Sequence, residues 1–293
     1  MKNLNSENIK EKVQEIHNFD KDISSYPISV VIVSYNGNEK LARCLDSLKN
    51  QTEEKFELIV VDNGKNNRIN FKNYNLKYIK LKKNYGLSEG RNIGIYYSKS
   101  EIVSFLDDDL IADSNLISSH LRAYTERNII GLRGKVKPIS NSIYNKLQSH
   151  YDLGDSVIPS FIDAEGNCSF KRCILQNIGG FNSTLYGHEG IELSYRIIKK
   201  YKDRDKLIYY PDAIVFHDYS DSFLKYIKKQ IRHKNIWKNL SNDYPELPNF
   251  LKQYERSNTN NLVLSKWDKI RIKFISKATY YILRLDDKLN KRN

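Results

Sequence analysis

The sequence predicts an α/β protein: a mostly parallel, Rossmann-like sheet flanked by helices, with a basic helical extension at its C-terminal end. Three observations carry this. Through residues 27–130, apolar runs of strand length alternate with segments of helical periodicity. Three of those strand runs end in polar clusters, Tyr35-Asn36, Asp62-Asn63 and Asp107-Asp108-Asp109. Of the net charge of +13, +10 falls in residues 221–293, where 17 Lys and Arg stand against 7 Asp and Glu.

Residues 1–26 are polar and charged, without the apolar core of a signal peptide, and are expected as a helical or loosely ordered leader. After Pro27 comes Ile28-Ser29-Val30-Val31-Ile32-Val33-Ser34-Tyr35, the β-branched run of a central strand covered on both faces. Asn36-Gly37-Asn38 breaks it, and Leu41, Cys44, Leu45 and Leu48 then mark one face of a helix. Phe56–Val61 reads as a second strand and Leu76–Leu81 as a third. A helix lies within Gly86–Lys99, and Glu101–Leu106 forms a fourth strand. Such alternation means βαβ units and a doubly wound sheet. Ligands of these sheets sit beyond the carboxyl ends of the strands, the edge where all three polar clusters fall. The later chain runs from Gly131–Val136 through Gly166–Arg172, Gly179-Gly180-Phe181 and Tyr186–Arg196. Two short strands, Leu207–Tyr210 and Ala213–Phe216, then end at His217. From Phe223 onward the pattern is mostly helical.

Composition narrows the function classes. Cys44, Cys168 and Cys173 are too few and too irregular for a disulfide framework or a zinc site. No run approaches the roughly 20 apolar residues of a membrane span. A cytoplasmic location follows, with at most a peripheral place on the inner face of the cell membrane. The glycines of Gly86–Gly94 do not match a dinucleotide-binding spacing, and no phosphate-loop motif occurs. Three adjacent carboxylates at a strand end repel one another, a cost that a hard divalent ion bridging a diphosphate relieves. A nucleic-acid-binding reading of the basic tail leaves that triplet unexplained, so nucleic acid is not an expected partner.

Val31–Asn36, Val60–Asn63, Asn84-Tyr85-Gly86, Gly90–Gly94, Asp107–Asp109, Gly179-Gly180-Phe181 and Glu189–Arg196 occur in order at suitable distances. As a set they resemble the family 2 glycosyltransferases, nucleotide-sugar enzymes of the GT-A fold, over roughly residues 27–220. The resemblance implies a metal-dependent inverting transfer from a nucleotide-diphosphate donor to the hydroxyl of a glycan or lipid-linked acceptor. It implies a nucleotide-binding half at 27–130, an acceptor half at 131–220 and the basic region at 221–293. By resemblance Asp109 ligates a divalent cation, Mn2+ or Mg2+, and His217 completes its shell. Asp107 faces the ribose or the metal's water. Tyr35, Asn36 and Arg91 contact the nucleotide, and Asp62 accepts the imide N–H of uracil, which points to a UDP-sugar. Asn167 and Ser169 line the donor-sugar pocket.

The base belongs to a Glu-Asp pair in the family, but here the string is Glu189-Gly190-Ile191-Glu192-Leu193, with Gly190 in the usual Asp position. Glu189 is the first candidate and Glu192 the second. The alternatives are a homologue that has lost its base, or a nucleotidyltransferase. Against the latter, Ser34–Glu39 lacks the basic triphosphate loop such enzymes use. Trp267, Ile270, Phe274, Ala278 and Tyr281 form an apolar stripe flanked by cations, the profile of an interfacial helix on an anionic membrane. The same profile fits a helix packed on the domain or buried in a dimer.

Overall fold

The computed structural model describes residues 4, 6–19, 25–65, 69–163, 166–252 and 264–290. Parts of the expected leader (1–3, 5 and 20–24) and of the basic region (253–263 and 291–293) lie outside the described residues. The chain opens with α1 (Ser6–Lys12) and β1 (Val13–Asn18). There follow β2 (Ile28–Ser34), α2 (Glu39–Lys49), β3 (Glu57–Asp62), β4 (Lys77–Leu81), α3 (Leu87–Tyr97) and β5 (Ile102–Asp107). After β6 (Ile111–Ala112) and α4 (Leu116–Glu126) come β7 (Gly131–Lys137), β8 (Ile158–Pro159), β9 (Asn167–Lys171) and α5 (Arg172–Ile178). The chain continues through α6 (Glu189–Tyr201), β10 (Leu207–Phe216), α7 (Phe223–Asp243), α8 (Leu247–Lys252) and α9 (Lys266–Asn290).

The strands form one mixed sheet in the order β1-β4-β3-β2-β5-β9-β7-β10-β6, with β8 on β10. Its left half, β4-β3-β2-β5, is parallel. β9 then runs antiparallel to both β5 and β7, joining that half to the parallel pair β7-β10. Every residue of β2 is buried, as its unbroken β-branched run requires. Ile28, Val30 and Ile32 face one layer with α2 and α4, whereas Val31 and Val33 face the other with α3, α5 and α6. The result is three layers, helix on sheet on helix.

Two elements differ from expectation. Val13–Asn18 adds an edge strand, pairing antiparallel from Val13↔Leu81 to Asn18↔Lys77. Five of its six residues are exposed, so it has no apolar alternation to reveal it, and the open main chain of β4 supplies its bonds. The two short strands expected around Pro211-Asp212 are one ten-residue strand, β10. Its register against β7 shifts between Tyr209 and Ile214, so the proline sits in a bulge and not a turn.

Helix α3 lies unusually close on β2. A Cβ added at Gly90 would come 2.5 Å from Val33 Cγ1, and one at Gly94 2.2 Å from Val31 Cγ1. Gly94→Ala is therefore expected to cost about 1–3 kcal/mol through overpacking. The shift of the urea midpoint at constant slope measures this, and an unchanged midpoint would refute the close packing.

Candidate active site

The parallel register brings the carboxyl ends of three strands to one edge, with Ser34 beside Asp62 and Val33 beside Asp107. The acidic triplet splits there into three environments. Asp107 Oδ1 accepts from Arg91 Nη2 at 3.1 Å, and the buried guanidinium also lies 5.4 Å from the Phe181 ring. Gly166 packs so close that a Cβ would lie 2.3 Å from Asp107 Oδ2. Asp108 turns back: its Oδ2 accepts from Ser34 Oγ at 2.6 Å, and burial raises its pKa to about 6 despite that bond. Asp109 Oδ1 stands 3.2 Å from His217 Nε2, and Oδ2 lies 3.3 Å from Lys40 Nζ. Burial pushes the Asp109 carboxyl up, but His217 and Lys40 outweigh it and hold it below the usual carboxylate range.

Asp109 and His217 thus present a carboxylate oxygen and an imidazole nitrogen to each other from different elements, a mixed donor pair that suits manganese better than the oxygen-preferring magnesium. Among the described residues no group of three such side chains gathers. A cation here would complete its shell with phosphate oxygens and water, as magnesium ordinarily does.

A cavity of about 660 Å³ opens at this edge. It brings together Arg91, Asp107, Asp109, Asn167, Glu189 and His217. Glu189, the first residue of α6, is 3% exposed, and its Oε1 lies 3.5 Å from Ser88 Oγ. It is presented by Gly187 at φ 126° and His188 at φ 59°, the latter a left-handed conformation costly for a side chain this bulky.

The opposite wall is a surprise of the tertiary structure. α7, the first basic helix of the tail, places Lys229, Arg232, His233 and Trp237 along the cavity. Lys229 donates to the Tyr219 carbonyl. Its pKa is lowered, chiefly by burial, while Asp109 and Asp107 pull the other way. His233 Nδ1 meets His188 Nε2 at 3.3 Å. Burial lowers both imidazoles, His233 to about 4, so the two share one hydrogen bond as neutral rings at pH 7. Lys229, His233 and Trp237 recur every four residues, and that spacing is the sequence signal that could have identified a site-facing row.

Other expected site residues are placed elsewhere. Ser169 is fully buried, its Oγ bonded to His120 Nδ1 at 2.8 Å and Tyr124 Oη at 3.2 Å. It belongs to the core and does not line a sugar pocket. Asn167 touches the cavity, but its Nδ2 donates to the Lys135 and Ala213 carbonyls and its Oδ1 faces His120 Nε2 at 3.2 Å. Its amide ties β7, β9 and β10 together. Glu192 lies outside the cavity, held by Arg196 Nε at 2.6 Å, Arg196 Nη2 at 2.8 Å and Tyr244 Oη at 2.8 Å. Asp62 is fully buried, accepting from Tyr78 Oη at 2.6 Å and the Gly64 N–H at 3.0 Å. Tyr35 is 59% exposed outside the cavity, and Asn36, at φ 57°, accepts the Lys65 N–H at 3.0 Å.

The buried His120 carries a pH prediction. Burial lowers its pKa from 6.5 to about 4. Between those values the unfolded chain binds a proton that the native state refuses, so stability falls as pH drops. The unfolding free energy is expected to be about 2 kcal/mol lower at pH 5 than at pH 7 from this residue. Urea titrations at the two pH values, repeated with His120→Gln, measure it. A drop that the variant leaves undiminished would assign the effect to other groups.

Residues 29–179 match the family described as Glycosyl transferase family 2. The glycosyltransferase YfnE of Bacillus subtilis (strain 168), itself uncharacterized, is 34% identical over 110 residues, 35% of this chain and 28% of its own. Poly(ribitol-phosphate) beta-N-acetylglucosaminyltransferase TarP of Staphylococcus aureus (strain N315) is 34% identical over 134 residues, 41% of each chain. The chain thus spans less than half the length of these curated relatives. Among solved structures, the mannosyltransferase PcManGT of Pyrobaculum calidifontis, in complex with GDP-Man and Mn2+, superposes with a TM-score of 0.55 at 17% identity. That superposition covers 73% of this chain and 63% of the other, and shows that the fold is GT-A. Since the match begins in the first central strand and ends just past α5, more than half the chain, the protein belongs to glycosyl transferase family 2.

Proposed function

We propose that the protein transfers a sugar from a nucleoside-diphosphate donor to a hydroxyl of a glycan or lipid-linked acceptor, with inversion at the anomeric carbon. One observation carries this reading: a single cavity is lined both by Asp107, Asp109 and His217 and by Glu189, at a helix N-terminus. Glu189 takes the acceptor hydroxyl's proton as the oxygen attacks the anomeric carbon, and the bond to the diphosphate breaks on the opposite face. Arg91 holds Asp107 in place and, with Lys229, offsets the charge of the departing nucleoside diphosphate. A divalent cation, Mn2+ or Mg2+, would be held by Asp109 and His217 and would supply further charge neutralisation at the diphosphate. The Mn2+ in the PcManGT complex supports that assignment. The polyol-phosphate polymer in TarP's name supports an envelope glycan as acceptor.

Uracil is the proposed base through Asp62, which is fully buried with one donor on each oxygen, so a uracil N–H would join an oxygen that already accepts from Tyr78 or Gly64. The test therefore spans UDP-, GDP- and dTDP-sugars, with and without manganese, reading nucleoside diphosphate release. Release from one or two donors that disappears with chelator is the expected result. Release that ignores metal would remove Asp109 and His217 from the proposed role.

A further inference from the structure

Helix α9 is amphipathic in an unusual sense: its polar contacts face inward and its apolar face looks out. Ile275, Ile282 and the buried Thr279 pack toward α7 and the Tyr219–Tyr226 cluster. The helix's three acids are all spent on the same side. Asp268 pairs with Lys146 at 2.8 Å, and Asp286 and Asp287 each pair with Lys234 of α7 at 2.7 Å. The outward face carries Trp267, Ile270, Phe274, Tyr281, Leu285 and Leu289, each between 52% and 75% exposed. At 100° per residue these six fall within one stripe, roughly 33 Å long at the helical rise. Exposed cations, Lys266, Arg271, Lys273, Lys277, Arg284 and Lys288, share or border the stripe.

We propose that α9 lies on the surface of an anionic phospholipid bilayer, with these apolar side chains in the acyl boundary and the cations among the headgroups. Charge decides this occupant over a second copy of the chain. Two such faces meeting about a two-fold axis would bring their cations together with no acid between them. An anionic headgroup layer neutralises the same cations. The mode is lying and not spanning, since no helix among the described residues is long and apolar enough to cross a membrane. Because α9 rides on α7, and α7 walls the cavity, docking fixes the cavity's distance from the lipid surface. Resting on the transferase reading, this places the acceptor hydroxyl on a lipid-carried glycan.

The test needs neither donor nor acceptor, so its failure is separable from failure of that reading. The full chain is sedimented with phosphatidylcholine vesicles and with vesicles containing phosphatidylglycerol, at low and high salt. Expected is partitioning onto the anionic vesicles alone, with a blue-shifted tryptophan emission that Trp267→Phe removes. Phe274→Ser with Leu285→Ser should lower the partition coefficient roughly a hundredfold. Lys273→Gln with Lys277→Gln, which keeps the stripe, should lower it roughly tenfold or more. All four positions are exposed, so circular dichroism should be unchanged. No partitioning, equal partitioning of the apolar variant, or a dimer that the apolar variant dissociates would each overturn the proposal.

Discussion

Asp109→Asn is expected to reduce nucleoside diphosphate release by roughly three orders of magnitude, about 4 kcal/mol of lost transition-state stabilisation, while leaving the fold intact. The two halves of that statement have separate reasons. Asparagine keeps the shape of the side chain and an oxygen for Lys40, but not the charge that faces His217. Its pairs are part-exposed, 31% for the Asp109 side chain, so solvent screening limits their worth to about 1 kcal/mol or less. In a chain of this size that moves the melting temperature by only a few degrees. Activity measured against manganese concentration, beside a thermal melt, reads both. Should the variant retain turnover at saturating metal, Asp109 is not a ligand. A melt that collapses together with the activity would make Asp109 structural.

The second large effect separates two carboxylates three residues apart. Glu189→Gln should cut kcat by roughly two to four orders of magnitude with donor KM and melting temperature nearly unchanged, because it removes a proton acceptor and little else. Glu192→Gln should do the reverse. Arg196 is anchored by the Ile178 and Gly180 carbonyls at 2.8 Å each, so it cannot swing away once its partner loses charge. A cation only 14% exposed, left uncompensated, costs about 3–5 kcal/mol, which lowers the melting temperature by roughly 10 °C. Turnover below that melt should persist. A stable, inactive Glu192→Gln beside an active Glu189→Gln would exchange their roles.

Much of this was legible in the chain itself. The β-branched run of β2 and the alternation through residues 27–130 are local patterns, and they fixed the sheet's left half with its acidic strand end. Where reading failed, the cause was a missing local signal. β1 bears no apolar period because its partner strand, and not the core, holds it. Ser169 reads as a pocket residue because small polar side chains look alike on a surface and in a strand beside a buried imidazole. Glu192 had a visible clue, Arg196 one helical turn on, which marks an ion pair as readily as a catalytic face.

The sequence by itself determined which carboxylates reach the carboxyl edge of the sheet, since strand period and element order set that. Only the tertiary structure decided which of the expected polar site residues stay available. Asp62 is closed by Tyr78, Glu192 by Tyr244 and Asn167 by His120, residues 16, 52 and 47 positions away. It also decided that α7 walls the cavity and that α9 turns its apolar face outward. A side chain's chemistry depends on its desolvation and its partners, and both are supplied by contacts distant in the chain.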